Sequence, residues 1–214
     1  MSTRQAGVPA PPLLPTPRCA FLHELLCAVT LLACVCLMSN SIASAQAQKP
    51  TDKKSEPEKL APYYPTPKLI VEKMLQLAAV KPGEKVYDVG SGDGRIVIMA
   101  AQQFQAQAVG VEIDEHLVKQ SREQIRKLGL DDKARIVEGD LLQQDYSPAD
   151  ALMVYLLPSA NEKLRPILER QLKNGTRIVA HDFLIRGWKP EQEQYIENDG
   201  EGRSHTLYLY VIHK

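Results

Sequence analysis

Short apolar runs alternate with amphipathic helical patterns through residues 61–214 of this 214-residue chain. Such an alternation predicts a doubly wound α/β sheet, in which helices join parallel strands and cover both faces. A turn rich in Asn, Asp and Gly at 198–202 then separates two further apolar runs, which predicts a C-terminal antiparallel hairpin. The expected strands span 85–89, 108–112, 135–138, 151–156, 177–180, 194–197 and 205–212.

Four helical patterns precede or connect these strands. Thr66 is expected to cap the first helix, with Pro67 at its first position, because both residue types favour helix starts. The third and fourth helices, near 115–128 and 161–172, end at glycine-containing stop signals. The second helix begins after residue 94 and presents one apolar face, formed by Ile96, Val97, Ala100 and Ala101.

The segment DVGSGDGR at 88–95 lies between the first predicted strand and the second helix. Its glycines allow a tight turn and let the backbone approach a ligand closely. Loops of this type often face a phosphate with a helix N-terminus, but Asp88 and Asp93 would repel one. The loop therefore favours S-adenosyl-L-methionine, which carries an ammonium and a sulfonium and no phosphate.

Two further acidic residues end the next two predicted strands. Glu112 lies about twenty residues beyond the glycines, where a nucleoside-binding fold places a carboxylate on the ribose hydroxyls. Asp140 follows the third strand, and we expect it to accept a hydrogen bond from the adenine amino group. The predicted cofactor-binding residues are Thr66, Asp88, Gly90, Ser91, Gly92, Glu112 and Asp140.

Charge and metal-ligand content narrow the range of partners. Lys and Arg total 26, as do Asp and Glu, so no basic surplus is present to neutralise a phosphate backbone, and a nucleic acid is not expected as a partner. All four cysteines lie within 19–36, and the five histidines lack paired-ligand spacing, so no metal site is expected. We expect His181 to be a surface-loop histidine.

Residues 1–45 have the layout of a signal peptide or an N-terminal membrane segment. Basic residues precede an apolar run at 25–38, and a small-x-small cleavage signal follows at 43–45. The run is shorter than the roughly 20 residues needed to cross a bilayer. An uncleaved anchor, a poor lipobox at 31–34 and a translation start at Met38 are the alternatives.

We therefore expect export or membrane association, with membrane contact through the N-terminal segment, and a cytoplasmic protein if translation starts at Met38. Residues 46–60 are mostly Lys, Glu, Gln, Ser and Pro, a composition that predicts a disordered linker. Residues 61–214 are then left as one folded domain of ordinary size.

The order of strand, DxGxGxG, helix, strand ending in Glu, helix and strand ending in Gly-Asp resembles class I, seven-strand S-adenosylmethionine-dependent methyltransferases. The segments PYYPTP at 62–67, Leu-Pro-Ser at 157–159 and Gly-Trp-Lys-Pro at 187–190 are further similar to one family of protein-lysine methyltransferases. That family modifies the c subunit of mitochondrial ATP synthase and adenine nucleotide translocase. The resemblance implies a Rossmann-like seven-strand sheet, S-adenosyl-L-methionine as cofactor and a protein substrate.

In that family the first two segments border the acceptor site, so the resemblance implies catalytic roles for Tyr63, Tyr64 and Tyr155 and places Pro158 in the acceptor pocket. Removing the proton of a lysine with a pKa of about 10.4 costs about 4.6 kcal/mol at pH 7. An aromatic, partly dry pocket lowers that pKa by desolvating the ammonium. The competing interpretation is that the tyrosines only pack the linker and the core.

Other acceptors are not equally favoured. The chain lacks the Asp/Asn-Pro-Pro-aromatic segment after strand four that methyltransferases of adenine N6, cytosine N4 and glutamine amide carry, which argues against those acceptors. Two alternatives stay open: a small-molecule or lipid methyltransferase, and a non-catalytic module that binds S-adenosyl-L-methionine.

Overall fold

The computed structural model of the protein describes residues 63–214. The expected N-terminal segment 1–45 and linker 46–60 lie outside the described residues, so these two expectations stay predictions. Within the described part of the chain, no helix has the length and apolar character needed to cross a membrane.

Seven strands and four α-helices make up the regular structure of residues 63–214. The strands are β1 Lys85–Val89, β2 Gln107–Glu112, β3 Ala134–Glu138, β4 Ala151–Val154, β5 Arg177–His181, β6 Gln192–Ile196 and β7 His205–Val211. The helices are α1 Lys68–Leu77, α2 Arg95–Gln103, α3 Glu115–Lys127 and α4 Pro158–Gln171, and a short 3₁₀ helix spans Leu141–Gln143.

The strands form one sheet in the order β3-β2-β1-β4-β5-β7-β6. Strands β1 to β5 pair in parallel, whereas β7 runs antiparallel to both β5 and β6. These observations confirm the predicted α/β sheet with a C-terminal antiparallel hairpin. The strand order reverses between β1 and β4, and sheets of this kind bind ligands beyond the carboxyl ends of the strands at such a point.

Two apolar layers cover the faces of the sheet, because successive strand residues point to opposite sides. On one face, α1, α2 and α3 pack on residues such as Val86, Met153 and Val179. On the other face, α4 packs on Val89 and Leu152 and their neighbours. The buried residues of α2 are the four that the sequence pattern predicts for its apolar side, Ile96, Val97, Ala100 and Ala101.

The structure corrects the predicted starts of two helices. Pro67 has a ψ of 144°, so α1 begins at Lys68, Pro67 is its N-cap, and Thr66 is not the capping residue. The fourth helix begins at Pro158 and not near residue 161, because proline suits the first helical turn. This early start also ends β4 at Val154, two residues sooner than expected.

Candidate functional site

The carboxyl ends of β1, β2 and β4 meet residues 63–67, here called the strap, around one cavity. The cavity and its open mouth enclose about 820 Å³, a volume typical of small-ligand sites. Nine of the predicted site residues line it: Tyr63, Tyr64, Thr66, Asp88, Gly90, Ser91, Gly92, Glu112 and Tyr155. The sheet and the strap therefore bring most of the predicted site together.

Two predicted residues do not line the cavity. The Asp140 carboxylate accepts a hydrogen bond from the backbone N–H of Leu142 at 2.8 Å and so caps the 3₁₀ helix, although Gly139 and Leu141 on either side of it do line the cavity. Pro158 is the first residue of α4. Their assigned roles toward adenine and the acceptor stay predictions.

The glycine-rich loop is tied to β2 by its own backbone. The N–H groups of Gly90 and Ser91 donate to the carbonyl of Val111 at 3.0 and 2.9 Å, and that of Gly92 donates to Glu112 Oε2 at 2.8 Å. The other oxygen, Oε1, accepts the backbone N–H groups of Ile113 and Asp114, each at 2.9 Å. Glu112 thus shapes the loop, and its Oε2 keeps one lone pair free for a ribose hydroxyl.

At Gly92 and Gly110 a neighbouring side chain lies too close to the backbone to leave room for a Cβ atom. A Cβ on Gly92, which has a φ of +53°, would lie 2.6 Å from the ring of Tyr63. A Cβ on Gly110 in β2 would lie 2.5 Å from Ser91 Oγ. The first contact brings the strap against the loop and the second brings the loop against the sheet. Gly110 was not among the predicted site residues.

Asp88 lies at the end of β1 and is 3% exposed. Its pKa is raised to about 8, chiefly by burial and then by the negative charges of Glu112 and Asp93. Beside it, the buried Ser91 Oγ has no hydrogen-bond partner within residues 63–214. A polar group buried without a partner fits a ligand that supplies one, and a cation suits a buried acid such as Asp88 best.

Arg95, to which the sequence pattern assigns no role, fastens the strap. Its guanidinium pairs with Asp93 at 2.7 Å and donates to the carbonyl oxygen of Thr66 at 2.8 Å. Burial alone would raise the pKa of Asp93, but its hydrogen bonds with Arg95 and the charge of Arg95 lower it. The Asp-Gly-Arg spacing of residues 93–95 is the only sequence signal for this ion pair.

Aromatic rings form the remaining wall of the cavity. Tyr155 is half-buried, and its ring packs against that of His181 with 3.9 Å between centroids and an angle of 32° between the ring planes. Burial raises the pKa of Tyr155, and the nearby Asp182 and Tyr64 raise it further. His181 is fully buried, so the expectation of a surface-loop histidine is wrong: its position at the end of β5, beside β7, places it inside the fold.

Comparisons with known proteins agree on one chemistry. Residues 88–192 match the family described as the ANTKMT methyltransferase domain. The protein-lysine N-methyltransferase of Saccharolobus islandicus (strain REY15A) is 46% identical over 152 residues, which cover 71% of this chain and 93% of that protein. A lysine N-methyltransferase of Mus musculus, named for the c subunit of ATP synthase, is 32% identical over 149 residues. This alignment covers 70% of this chain and 57% of the mouse protein.

A similar solved structure is that of an RNA methyltransferase from Salinibacter ruber in complex with S-adenosyl-L-homocysteine. It is 45% identical, with a TM-score of 0.64 over 70% of this chain and 94% of that one. S-adenosyl-L-homocysteine is what S-adenosyl-L-methionine becomes after it gives up its methyl group. The buried acid at Asp88 and the carboxylate of Glu112 fit the same cofactor here.

Proposed function

The chain belongs to the family of S-adenosyl-L-methionine-dependent methyltransferases that carry the ANTKMT methyltransferase domain, and within it we propose that the acceptor is a lysine side chain of a protein. The observation that carries this proposal is the group of three tyrosines, Tyr63, Tyr64 and Tyr155, in the wall of the cavity that Asp88 and Glu112 also line. The names of the Saccharolobus and mouse relatives, both lysine methyltransferases, support it.

S-adenosyl-L-methionine supplies, when bound, a methyl group on a positively charged sulfur. Asp88 would stabilise the positive charge of the cofactor, and Glu112 would accept hydrogen bonds from its ribose. Asp140, beside the lining residues Gly139 and Leu141, is proposed for the adenine end. Methyl transfer of this kind depends mainly on alignment of the nucleophile and on the exclusion of water.

The acceptor nitrogen must lose a proton before it reacts, because an ammonium has no lone pair. Burial against Tyr63, Tyr64 and Tyr155 lowers the pKa of an amine by removing the water that stabilises its charge. The proton leaves to solvent before transfer. The neutral Nζ would then form a bond to the methyl carbon while the bond from that carbon to sulfur breaks and its electron pair stays on sulfur, so that the product is a methylated ammonium.

RNA is the second candidate acceptor, because the Salinibacter ruber relative is described as an RNA methyltransferase. A protein is favoured by the charge balance of the chain, 26 basic against 26 acidic residues, since RNA binding usually requires a basic surplus. A small molecule or a lipid is the third class.

One assay separates these acceptors. The purified full chain is incubated with methyl-labelled S-adenosyl-L-methionine and a cell extract, and the label is then divided into fractions sensitive to protease, sensitive to ribonuclease, or extractable by organic solvent. The proposal expects the label in the protease-sensitive fraction. Label in either of the other fractions would refute the protein acceptor, and cofactor binding without any transfer would indicate a non-catalytic module.

The tyrosines are tested in the same assay. Tyr64→Ala and Tyr155→Ala should lower methyl transfer at least tenfold and change cofactor affinity little, because their side chains contact the acceptor side of the cavity. Tyr195→Ala is the matched control, since Tyr195 lies on β6 and is 67% exposed. If cofactor affinity falls together with turnover, these tyrosines belong to the cofactor wall and the proposal for the acceptor pocket is wrong.

We also propose that residues 1–45 direct the enzyme to a membrane or out of the cytoplasm. The support is the apolar run at 25–38 with the small-x-small signal at 43–45. An enzyme held there would meet protein substrates at a membrane surface.

A further inference from the structure

Next to Tyr155 lies a buried group of polar side chains that the methyl-transfer chemistry does not use. It consists of His181, Asp182, Asp199 and His205, here called the histidine cluster, and within residues 63–214 none of them lines the cavity. His181 Nε2 lies 2.9 Å from His205 Nδ1. His205 Nδ1 also lies 2.9 Å from Asp182 Oδ2, and its Nε2 lies 3.2 Å from Asp199 Oδ2.

The distances favour a hydrogen-bond network over a metal site: two of the three separations among His181, Asp182 and His205 are 2.9 Å, and the third, from His181 Nε2 to Asp182 Oδ2, is 3.3 Å. A tetrahedral zinc ion, with bonds of about 2.0–2.1 Å, would hold its ligand atoms about 3.3 Å apart. The 2.9 Å between the two ring nitrogens is shorter than that and is typical of a hydrogen bond. Burial lowers the pKa of His181 to about 4, so its ring is neutral and its Nε2 can accept a hydrogen bond from His205 Nδ1. In that tautomer the proton of His181 is on Nδ1, which has no hydrogen-bond partner within residues 63–214.

The network reaches two of the three tyrosines of the proposed acceptor wall, Tyr64 and Tyr155. On one side, the ring of Tyr155 packs against that of His181, with 3.9 Å between centroids. On the other side, Asp199 binds Arg203 Nε at 3.0 Å, and the guanidinium of Arg203 donates to the hydroxyl of Tyr64. Tyr64 lies on the strap and Tyr155 follows β4, so two segments distant in sequence are held by one cluster.

A strained residue anchors the cluster to the sheet. Asp182 has a φ of +58°, a left-handed backbone conformation that is strained for residues other than glycine. Its backbone N–H donates to the carbonyl of Thr206 at 2.8 Å, and its Oδ1 accepts the N–H of Thr206 at 2.9 Å. These two bonds to β7 leave Oδ2 facing His205.

We propose that the histidine cluster is the positioning device of the acceptor pocket: it fixes the plane of Tyr155 from behind and the place of Tyr64 through Arg203. The identity of the acceptor rests on the proposed function, but the positioning itself does not. Because Asp88 and Glu112 lie on β1 and β2, damage to the cluster should impair acceptor use and spare cofactor binding. Its members are positioning residues, since they act through the tyrosines.

Asp199→Asn tests this directly, because it removes the charge that holds His205 and Arg203 while keeping the shape of the side chain. The matched control is Glu201→Gln on the same turn, where Glu201 contacts Arg203 but not the histidines. Both variants of the full chain are assayed with labelled cofactor and unfractionated protein extract as acceptor. Asp199→Asn should reduce methyl transfer at least tenfold with a cofactor Kd within twofold of wild type, and Glu201→Gln should change either quantity less than twofold.

A second variant covers the case in which Asp199→Asn does not fold. Arg203→Gln leaves the histidine pair intact and cuts only the link to Tyr64, so it should lower transfer by a smaller factor, while Arg203→Lys restores part of it. The proposal would be overturned if Asp199→Asn transferred methyl groups at the wild-type rate. It would also be overturned if these variants lost methyl transfer and cofactor affinity to the same extent. Loss of wild-type activity on chelation, restored by Zn²⁺, would also overturn it by making the cluster a metal site.

A spectroscopic readout is independent of any acceptor. In protein with ¹³C-labelled histidine, NMR of the free enzyme should show the His181 ring resonances shifted by the stacked Tyr155 ring, and Tyr155→Leu should abolish that shift. Asp199→Asn should broaden or move the same resonances, whereas Glu201→Gln should not. If the wild-type enzyme methylates no protein but these shifts appear, the proposed function fails and the positioning network stands; absent shifts would overturn the network itself.

Discussion

The Asp88 side chain illustrates how one buried acid prepares a site for a positively charged ligand. Burial, together with the charges of Glu112 and Asp93, raises its pKa to about 8. Such a group is mostly neutral at pH 7 in the free protein, and a cation placed beside it favours the ionised form. The proposed contact of Asp88 with the cofactor would therefore couple cofactor binding to the release of a proton from Asp88.

We predict that Asp88→Ala weakens S-adenosyl-L-methionine binding at least tenfold, or about 1.4 kcal/mol. The isosteric Asp88→Asn should weaken it too, because the amide cannot become negatively charged. The ratio of the wild-type cofactor affinity to that of Asp88→Asn should rise from pH 6 to pH 8, because Asp88 loses its proton more easily at higher pH. Titration calorimetry measures this, with Asp131→Asn on an exposed turn as the control. Equal cofactor affinity of wild type and both Asp88 variants would contradict the role of Asp88.

The same pKa predicts how stability depends on pH without cofactor. Unfolded Asp88 has a pKa of about 4, whereas the folded value is about 8, so between these values the folded state binds the extra proton. Stability should then fall as pH rises through this window, by at most about 1.4 kcal/mol per pH unit from this group. Asp88→Asn should lose less stability than wild type between pH 5 and pH 8 in urea unfolding. Parallel stability curves for the two proteins would show that Asp88 is not buried as a neutral acid.

Residue positions were predictable where side-chain chemistry and strand position coincide. Asp88 and Glu112 end neighbouring parallel strands, so their meeting at one edge follows from the sequence pattern. The role of Arg95 was not predictable, because its bond to Thr66 depends on the course of the strap, 29 residues earlier in the chain. Likewise His181 and His205 meet only because β7 pairs with β5.

At the scale of elements, the glycine-rich loop joins three parts of the site. It follows β1, bonds to the end of β2 and lies against the strap through the contact of Gly92 with Tyr63. A change in this contact should affect the ligand more than the fold, because the ring of Tyr63 can move.

Gly92→Ala and Gly83→Ala form a matched pair that isolates this contact. Both glycines have positive φ, +53° and +81°, but a Cβ on Gly83 would meet nothing within 4 Å. Each substitution should destabilise the fold by about 1–2 kcal/mol for the backbone conformation. Only Gly92→Ala should also weaken cofactor binding, by about tenfold, because it displaces Tyr63. Calorimetry and thermal unfolding measure both effects, and equal cofactor affinities would mean that the strap does not shape the site.

Element types were predictable more accurately than their ends. The buried residues of α2 are the four that the sequence predicts for its apolar face, because helical periodicity alone determines which residues share that face. The start of α1 did not match, because Pro67 adopts an extended ψ that the sequence pattern of a Thr-Pro cap does not reveal. The roles proposed for Asp140 and Pro158 depend on such ends, where a shift of one residue decides which side chain faces the cavity.

For the whole molecule, the sheet order places the proposed cofactor residues and the proposed acceptor residues on different strands. Asp88 and Glu112 lie on the first two strands of the fold, whereas the histidine cluster lies on β5, on β7 and on the turn before β7. The C-terminal hairpin therefore does more than complete the sheet, since it carries His205 and Arg203 to the acceptor side. Separate losses of cofactor binding and acceptor use are the expected signature of this division.

The proposed export signal gives a prediction about the mature chain. If residues 43–45 form a cleavage site, protein isolated from its native host should begin near Gln46, because signal peptidase cuts after the small-x-small sequence. N-terminal peptide mass spectrometry decides this. A peptide that begins before Cys34 would indicate an uncleaved anchor, and an N-terminus at Met38 or Ser39 would indicate that translation starts there.

The identity of the methylated group tests most directly whether the acceptor is a protein lysine. The full chain is allowed to transfer labelled methyl groups to the protein extract, and the labelled proteins are hydrolysed to amino acids and separated by chromatography with mass spectrometry. We predict that the wild-type enzyme yields the label as N-methylated lysine. At limiting cofactor, Asp88→Ala should yield at least tenfold less labelled lysine. Label recovered on another amino acid, on a base-labile carboxylate ester, or only on RNA would contradict it.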